Sequence, residues 1–349
     1  MAGRLGLTMP GLFVTLSPAI KAMRVLSGIQ SSGKLHLGNY LGAMKQHIEL
    51  QQEHDCFFFI ANYHSLTTVQ DPPLLRQYTL DVALDYLALG LDPNKVKLFR
   101  QSDVPEVTEL AWILSTVTGK GLLERATSYK DKVAKDVPAS MGLFSYPLLM
   151  AADILIYRSD CVPVGKDQVQ HIEMTQDMAG YFNTTFGREV FKRPEPKLNE
   201  ALVVPGVDGQ KMSKSYGNAI NLFDPPTDTK KRIMSIKTDS TPVAAAKNPE
   251  TCNVFALYQL MASSAEVAAL RERYTRGGMG YGEAKTMLAE VVERVLGPAR
   301  DRRSKLAADP DYVEDVLTTA GRRARAVAQE VMADVRDACG IVVTKGTHT

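Results

Sequence analysis

The sequence predicts an α/β fold, in which a parallel sheet carries helices on both faces, followed by an all-helical C-terminal part. Two observations lead to this prediction. Up to Asp224, short apolar runs typical of buried strands alternate with longer segments of helical spacing, and beyond Asp224 only helical patterns remain. Because parallel neighbours need a crossover connection, strands separated by helices of this length favour a parallel sheet.

Four short runs are predicted to form the strands. The second, CFFFIA, is apolar throughout, as expected of a strand that is buried on both faces. The predicted strands are residues 25–27, 56–61, 96–101 and 161–164. Helical spacing is found at residues 38–54, 73–91, 105–117, 146–157 and 167–182.

The part of the chain after Asp224 contains helical patterns only. They fall at residues 229–235, 254–263, 265–274, 281–296, 298–308 and 311–340. We therefore expect two domains, a Rossmann-like one over residues 23–227 and a helical one over residues 228–349.

Residues 1–22 contain no acidic side chain and one short apolar run, which is too short to span a membrane. No other segment is apolar enough to do so. A signal or transit peptide is one interpretation of these residues. The sequence MRVLSG, which begins at Met23, is typical of a natural start, so we expect residues 1–22 to be a dispensable extension.

Charge and cysteine content restrict the function only weakly. A formal net charge of +2 does not by itself indicate a nucleic-acid partner. The four cysteines, at positions 56, 161, 252 and 339, match no zinc or iron–sulfur spacing. Reduced thiols in a cytoplasmic protein are the simplest interpretation.

Two sequence patterns overlap after the first strand. Residues 28–34 fit G-x-x-x-x-G-K, most of a phosphate-binding P-loop, but Leu35 cannot supply the hydroxyl that coordinates magnesium. Glycines at a strand-to-helix turn still let the backbone approach an anion closely. Residues 35–39, Leu-His-Leu-Gly-Asn, form the second pattern, and we call residues 28–39 together the first motif. An ordinary strand-to-helix turn is the alternative to both.

The second motif, Lys-Met-Ser-Lys-Ser, occupies residues 211–215 on a predicted loop. Alone, such a loop is typical of solvated surface. Together with L-H-L-G-N on a parallel sheet, it resembles the class I aminoacyl-tRNA synthetases. The short separation is similar to the compact tyrosine and tryptophan subclass. Three stretches resemble the tryptophan branch of this subclass: GIQSSGKLHLGNYLGA, SYPLLMAADILIY and VPVGKDQVQHIEMT. The resemblance covers about residues 24–340.

The resemblance implies a two-step reaction, in which L-tryptophan is activated with ATP and then transferred to tRNA(Trp). It also implies a cytoplasmic homodimer without membrane association. Mg²⁺ is expected to enter with ATP, because we find no dedicated metal cage in the sequence. Residues 23–227 would bind ATP and tryptophan, and residues 228–349 the anticodon. Candidate RNA contacts in the helical part are Arg302, Arg303, Lys305, Arg322, Arg323 and Arg325.

The resemblance assigns ATP to the two motifs and to the loop after the fourth strand. Gly38 would leave room for adenine, and His36 and Asn39 can donate to phosphate oxygens. Lys132 is either a phosphate contact or a solvated helix residue. The candidates for catalysis are Asn39, Lys132, Lys211 and Lys214, and those for nucleotide binding are Gln30, His36, Gly38, Asn39, Gly165, Asp167, Lys211, Met212, Ser213, Lys214 and Ser215.

Asp153 is the main candidate for binding tryptophan. An unpaired carboxylate inside the apolar sequence LLMAADILIY would be costly, and the indole N–H needs an acceptor when it is buried. Core packing is the alternative for Met150 and His64, and Trp112 is expected to pack within its helix. The candidate substrate residues are His64, Tyr146, Met150, Asp153, Val162, Val164 and Gln168.

Three other interpretations remain open at this stage: a tyrosine enzyme, a nucleotidylyltransferase that shares the H-x-G-H corner, and a non-catalytic paralogue. The sequence also departs from the family pattern at two places. Asn39 replaces the usual second histidine, a change common in the tryptophan branch. Tyr216-Gly217-Asn218 follows the lysine motif where many relatives have Asp-Pro, which leaves the resting conformation of this loop open.

Overall fold

The centre of the fold is a five-stranded parallel sheet in the order β3-β2-β1-β4-β5. The computed structural model describes residues 22–126, 140–198 and 203–341, without the side chains of residues 167 and 198. The strands are β1 Arg24–Ile29, β2 Asp55–Ile60, β3 Lys97–Arg100, β4 Cys161–Val164 and β5 Glu195–Leu198. The prediction of a parallel sheet is confirmed.

The strands are buried because helices cover both faces of the sheet. In β2, Cys56 and Phe58 pack into one hydrophobic core, whereas Phe57 and Phe59 pack into another. This alternation follows from the two-residue period of a strand. We call the core that contains Phe58 the first core and the core that contains Phe57 the second core.

The order of the strands places a crevice at the end of β1. Val25 of β1 lies opposite Cys56 of β2 on one side and Cys161 of β4 on the other. The chain therefore leaves β1 in one direction across the sheet and returns on its other side at β4. Ligands of open parallel sheets bind at the carboxyl ends of the strands at such a reversal.

The helices connect the strands and then form the whole described C-terminal part. Helix α1 consists of Leu37–Asn39, a π-helical turn Tyr40–Met44, and Lys45–Leu50. The others before residue 224 are α2 Asn62–Ser65, α3 Pro72–Leu89, α4 Glu106–Val117, α5 Lys120–Glu124, α6 Met141–Leu155 and α7 Val169–Phe186. Those after it are α8 Pro226–Met234, α9 Asn253–Met261, α10 Ser264–Arg276, α11 Tyr281–Ala307 and α12 Pro310–Ala338.

Several elements differ from the sequence prediction for local reasons. Strand β5 is not predicted because its sequence, EPKL, has no apolar run, and its Pro196 is tolerated at a sheet edge. Helix α6 begins before the predicted residue 146 because the Ser140 hydroxyl caps it by accepting from Leu143 N. The prediction for Trp112 is wrong, since this side chain is 72% exposed.

Helix α11 continues through Pro298, where the sequence predicts a break between two helices. Proline removes one backbone hydrogen bond, so the continuous helix needs compensation. Tertiary contacts supply it on both sides of the proline, because Leu296 and Ala299 are buried and Arg302 Nε donates to Ala88 O of α3 at 2.7 Å.

Helix α12 joins the helical part to both cores. Its first half, including Val313 and Leu317, belongs to the first core, and its second half, including Ala324 and Val331, belongs to the second core. The helix packs against β3, at one edge of the sheet. It therefore covers that edge and binds the helical part to the sheet.

Ion pairs along α12 add to this attachment. Arg100, at the end of β3, forms a two-pronged pair with Glu314, at 2.7 and 2.8 Å. Arg325 Nε donates to buried Glu106 of α4 at 2.8 Å, and Arg336 Nε donates to Glu109 at 2.7 Å. Hydrogen bonds between a planar guanidinium and a carboxylate fix the relative orientation of the two groups as well as pairing their charges.

These contacts change the expectation for the basic residues of the helical part. Arg302, Arg303 and Arg325, three of the candidate RNA contacts, bind oxygen atoms of α3 and α4. Their guanidinium groups are therefore already engaged within the chain. Lys305, Arg322 and Arg323 are exposed.

Among the helices that the structure describes, none is both long and apolar enough to cross a membrane.

We predict that Gly321→Ala in α12 destabilises the protein by about 1–3 kcal/mol. A Cβ at Gly321 would lie 2.8 Å from the Asp103 Cβ, and Asp103 is held by Arg100 Nε at 3.0 Å. Denaturant unfolding measures the change. As a control, Gly180→Ala in α7 meets open space and should stabilise the fold by up to about 1 kcal/mol. A stabilising effect of both substitutions would contradict the close packing of α12.

Candidate active site

A cavity of about 450 Å³ lies at the carboxyl ends of β1 and β4, between α1, α6 and α7. Gln30, Gly165 and all of the candidate substrate residues line it. Those from β4 are Val162 and Val164, with Gln168 in the turn that follows. Tyr146, Met150 and Asp153 come from α6, and His64 comes from α2. The structure thus brings side chains as far apart in the sequence as His64 and Gln168 into one site.

Asp153 is 2% exposed and is held by two side chains. His64 Nε2 lies 2.9 Å from Asp153 Oδ2, and Gln101 Nε2 donates to both carboxylate oxygens at 2.8 and 2.9 Å. Burial raises the pKa of the Asp153 carboxyl, and the hydrogen bonds from His64 and Gln101 oppose this shift. The result is a carboxylate with a fixed orientation.

The positions of these partners follow from the parallel sheet. His64 lies just after β2 and Gln101 just after β3, so both leave the same edge of the sheet. Gln101 Oε1 accepts from Tyr63 N at 3.0 Å, which orients its amide towards Asp153. The sequence analysis did not select Gln101. Its place at the carboxyl end of a predicted strand is the signal that could have identified it.

A second polar pair lies in the same cavity. The Tyr146 hydroxyl is 2.5 Å from His171 Nε2 of α7. Burial raises the pKa of Tyr146 to about 12, so the hydroxyl stays protonated at neutral pH. His171, which the sequence analysis also missed, thereby fixes the ring of Tyr146 next to Met150 and Asp153.

The first motif is packed tightly around His36. The Asn39 Oδ1 accepts from His36 N at 3.0 Å, which leaves the Asn39 amide nitrogen available as a donor. A Cβ on Gly38 would lie 2.9 Å from the His36 ring, so the ring itself requires glycine here. Burial and, to a smaller extent, the charge of Lys214 lower the pKa of His36 to about 4. His36 is therefore neutral near pH 7.

A short antiparallel pairing brings the first motif next to the lysine loop, which we define as residues 211–217. Leu37 N donates to Ile220 O at 2.9 Å, and Leu222 N donates to Leu35 O at 3.0 Å. The segment that leaves the loop is thus fixed against Leu35–Leu37 by backbone hydrogen bonds, with an antiparallel bridge between His36 and Asn221.

Within the lysine loop, the two lysines have different environments. Lys214 Nζ donates to Gly33 O at 2.9 Å, whereas Lys211 is exposed. Although the Lys214 residue as a whole is exposed, burial of its ammonium group lowers its pKa, and the Asp85 carboxylate opposes that shift. Lys214 therefore already rests on the first motif. Met212 is 4% exposed and fixes the loop to the first core.

Asn218 organises the loop, although the sequence analysis treated it only as a departure from the family pattern. Its Oδ1 accepts from Ser213 N at 2.8 Å, and its Nδ2 donates to Asp208 Oδ1 at 2.8 Å and to Lys211 O at 3.2 Å. The side chain is 2% exposed. Ser213 and Ser215 are joined through their hydroxyls at 2.8 Å.

Two candidates cannot be placed in the same way. Lys132 lies outside the described residues. Asp167 belongs to the 3-10 turn Lys166–Gln168, but its side chain is outside the described part of the chain.

A sequence model of the "tRNA synthetases class I (W and Y)" matches residues 19–297. The chain belongs to this family.

Individual relatives of this class I synthetase are similar over most of their length. The tryptophan–tRNA ligase of Fusobacterium nucleatum is 51% identical over 91% of this chain and 98% of that protein. The tryptophan–tRNA ligase of Rhodopirellula baltica is 52% identical over 91% of this chain and all of that protein.

Solved structures of synthetases are also similar to this chain. The tryptophanyl-tRNA synthetase of Campylobacter jejuni, solved with ADP and tryptophan, has a TM-score of 0.86 and 48% identity, and the match covers 91% of this chain and 100% of that one. The tyrosyl-tRNA synthetase of Archaeoglobus fulgidus has a TM-score of 0.62 at 20% identity over 81% of this chain and 91% of that one, which shows the fold alone.

We predict that Asn218→Ala loosens the lysine loop of this synthetase without unfolding the protein. Three hydrogen bonds that hold the loop are lost, so amide hydrogen exchange across residues 211–217 should accelerate roughly tenfold or more. Tyr216→Ala is the matched control, because this side chain is 60% exposed. Equal exchange rates in wild type and Asn218→Ala would show that other contacts hold the loop.

Proposed function

We propose that the chain is a tryptophan–tRNA ligase, which forms tryptophanyl-adenylate from L-tryptophan and ATP and then esterifies tRNA(Trp). The observation that carries the choice of amino acid is the buried, oriented Asp153 carboxylate in a cavity that Met150, Val162 and Val164 also line. The names of the relatives at 51% and 52% identity support the same substrate.

Asp153 has the capacity to bind an indole N–H. A carboxylate offers about four lone-pair sites, and His64 and Gln101 leave room for a further donor. An indole that enters the cavity must satisfy its N–H there, since an unpaired buried donor costs about 1–3 kcal/mol. A phenol can also donate, so tyrosine must be excluded by shape. Met150, Val162 and Val164 line the cavity. We expect this cavity to fit the two fused rings of an indole better than the single ring of a phenol.

The nucleotide would lie between the first motif and the lysine loop. Gln30 and Gly165 line the cavity at the ends of β1 and β4, where the tryptophan carboxylate must meet the α-phosphate. Lys214 Nζ donates to Gly33 O of the first motif, and Asn39 has a free amide donor. We assign nucleotide binding to these residues together with His36, Gly38, Asp167, Lys211, Met212, Ser213 and Ser215.

The chemistry needs no nucleophile from the protein. The tryptophan carboxylate attacks the α-phosphorus, the bond to the bridging oxygen breaks, and pyrophosphate leaves with the electron pair. A terminal ribose hydroxyl of tRNA then attacks the aminoacyl carbonyl and releases AMP. The protein contributes positioning and cations opposite the charge that develops on the phosphates. Mg²⁺ would enter with ATP, held mainly by phosphate oxygens.

We further propose that residues 23–227 form the catalytic domain and residues 228–349 the anticodon-binding domain, with residues 1–22 dispensable. Of the six candidate RNA contacts, we retain the exposed Lys305, Arg322 and Arg323. Charging of tRNA should then depend strongly on salt in the wild type, and removal of these cations should weaken charging and reduce its salt dependence, whereas adenylate formation should not change. Equal damage to both steps would contradict this division.

A cytoplasmic homodimer is the assembly that the family likeness favours. The four cysteines are unpaired, which suits a reducing compartment. Trp112 and Met141 are 72% and 75% exposed, and large exposed apolar side chains of this kind are enriched at protein interfaces. A solution mass of one chain would contradict the dimer.

Asp153→Ala is expected to lower tryptophan-dependent exchange of pyrophosphate into ATP by roughly 10- to 100-fold, because the indole N–H loses its acceptor. Exchange with tyrosine should stay poor, since Met150, Val162 and Val164 still line the cavity. Asp153→Asn, which retains one acceptor oxygen, should fall between wild type and Asp153→Ala. Tryptophan kinetics that are the same in all three proteins would remove Asp153 from the site. Exchange that depends on tyrosine in the wild type would overturn the proposed substrate.

Lys214→Ala is expected to slow adenylate formation by about 2–4 kcal/mol of transition-state stabilisation, because its ammonium opposes charge that grows during the reaction. ATP binding should weaken much less. Single-turnover kinetics and ATP titration separate the two effects. Lys230→Ala, at an exposed lysine of α8, controls for the loss of a positive charge. A loss of ATP affinity as large as the loss of rate would refute the differential stabilisation.

A further inference from the structure

Asp85 is a buried carboxylate that the proposed chemistry does not use. It lies on α3, is 4% exposed, and has buried apolar neighbours on both sides in the sequence, such as Leu84 and Tyr86. A carboxylate in such a place is costly unless it is paired. Its partner is Arg303 of α11, whose Nε donates to Asp85 Oδ1 at 2.6 Å. The helical part of the chain therefore satisfies a buried charge of the α/β part.

Arg303 makes two more contacts at the same place. Its Nη2 donates to Asp81 Oδ1, one turn earlier on α3, at 2.6 Å. Its guanidinium also lies 5.3 Å from the centre of the Phe223 ring, within the range of a cation–π contact. Phe223 belongs to the segment that leaves the lysine loop and is fixed to Leu35–Leu37. Arg303 thus connects α3 and α11 with the exit of the lysine loop.

A small cavity of about 160 Å³ marks this junction. Its wall includes Lys34 and Leu35 of the first motif, and Lys34 Nζ donates to Asp224 Oδ1 at 3.0 Å. Asn221 Nδ2 donates to the other oxygen of Asp224 at 2.7 Å. The cavity is completed by Asp81, Asp85, Phe223 and Arg303.

Lys214 belongs to the same group of charges. Its ammonium is bound to Gly33 O, next in sequence to Lys34, and Asp85 is the carboxylate whose charge acts on it. Arg303 and Lys214 therefore share the field of one buried carboxylate. A change in the position of Asp85 or Phe223 would change both the field at Lys214 and the path of the backbone that carries the loop.

On the basis of the proposed function, we propose that Arg303 is a positioning residue for Lys214. By fixing Asp85 and Phe223, it holds the exit of the lysine loop against the first motif, in the geometry from which Lys214 reaches the phosphates of ATP. The long helix α11 is then the element through which the helical part sets the rate of adenylate formation.

A double-mutant cycle on the full chain tests this role, with Arg303→Gln, Lys214→Ala and the double variant. The readout is tryptophan-dependent pyrophosphate exchange, separated into kcat and the KM for ATP. We expect Arg303→Gln to lower kcat roughly tenfold, a size typical of coupling between sites, with a smaller change in KM. In the Lys214→Ala background the further loss should be less than about twofold, because the two residues act through one group. Equal losses in both backgrounds would overturn the proposal.

Arg302→Gln is the matched control. Arg302 also connects α11 to α3, but its Nε binds Ala88 O at 2.7 Å and not a carboxylate. We expect its kcat to stay within about twofold of wild type, as for an independent site. A tenfold loss in Arg302→Gln as well would show that general loosening of the interface lowers the rate, and would overturn the specific role of Arg303.

Arg303→Gln leaves Asp85 buried without its cation, so the variant could unfold. Asp85→Asn combined with Arg303→Gln removes both charges and retains an amide pair. We expect this variant to fold but to keep the roughly tenfold loss of kcat. The reason is that glutamine restores neither the positive charge of Arg303 nor the several N–H donors of its guanidinium group. Recovery of the wild-type kcat would show that Arg303 serves folding only. Absence of exchange in the wild type with any amino acid would instead overturn the proposed function, and this inference with it.

Discussion

The pairing of Leu35–Leu37 with the segment 220–222 is the constraint on which the geometry of the site depends. Two backbone hydrogen bonds, between Leu37 N and Ile220 O and between Leu222 N and Leu35 O, join segments that are far apart in the sequence. Backbone bonds of this kind do not depend on side-chain identity, so they fix position rather than chemistry. Because the lysine loop ends just before this segment, the pairing determines where Lys214 lies.

Two buried carboxylates determine most of the polar architecture around that pairing. Asp153 is held by His64 and Gln101 in the larger cavity, and Asp85 is held by Arg303 in the smaller one. A buried charge tolerates few positions for its partners, since an unpaired one is costly. The two groups differ in what surrounds them. Asp153 faces a cavity in which a ligand donor fits, whereas Asp85 faces an arginine of the helical part.

The helical part is built into the fold rather than attached to its surface. Helix α12 contributes side chains to both cores and packs against β3, and its arginines bind Glu106 and Glu109 of α4. Helix α11 binds α3 through Arg302 and Arg303. Arginines that look like a basic surface in the sequence are therefore partly structural. Charge runs in a sequence do not distinguish a solvated face from an intramolecular one.

The sequence by itself determined the parallel α/β class, the order of the main elements, the two motifs and the family. These features follow from local patterns: apolar runs, helical spacing, and short motifs whose residues are neighbours in the chain. The same patterns identified Asp153, because a carboxylate in an apolar helix is anomalous wherever the helix packs.

Only the tertiary structure decided which side chains surround those residues. Gln101, His171, Asn218 and Arg303 are ordinary polar or charged residues in the sequence, and their partners lie between 5 and 222 positions away. The continuity of α11 through Pro298 and the exposure of Trp112 likewise depend on packing. Hydrogen bonds and ion pairs act over a few ångströms in space, so their partners are set by how the sheet and helices bring distant segments together.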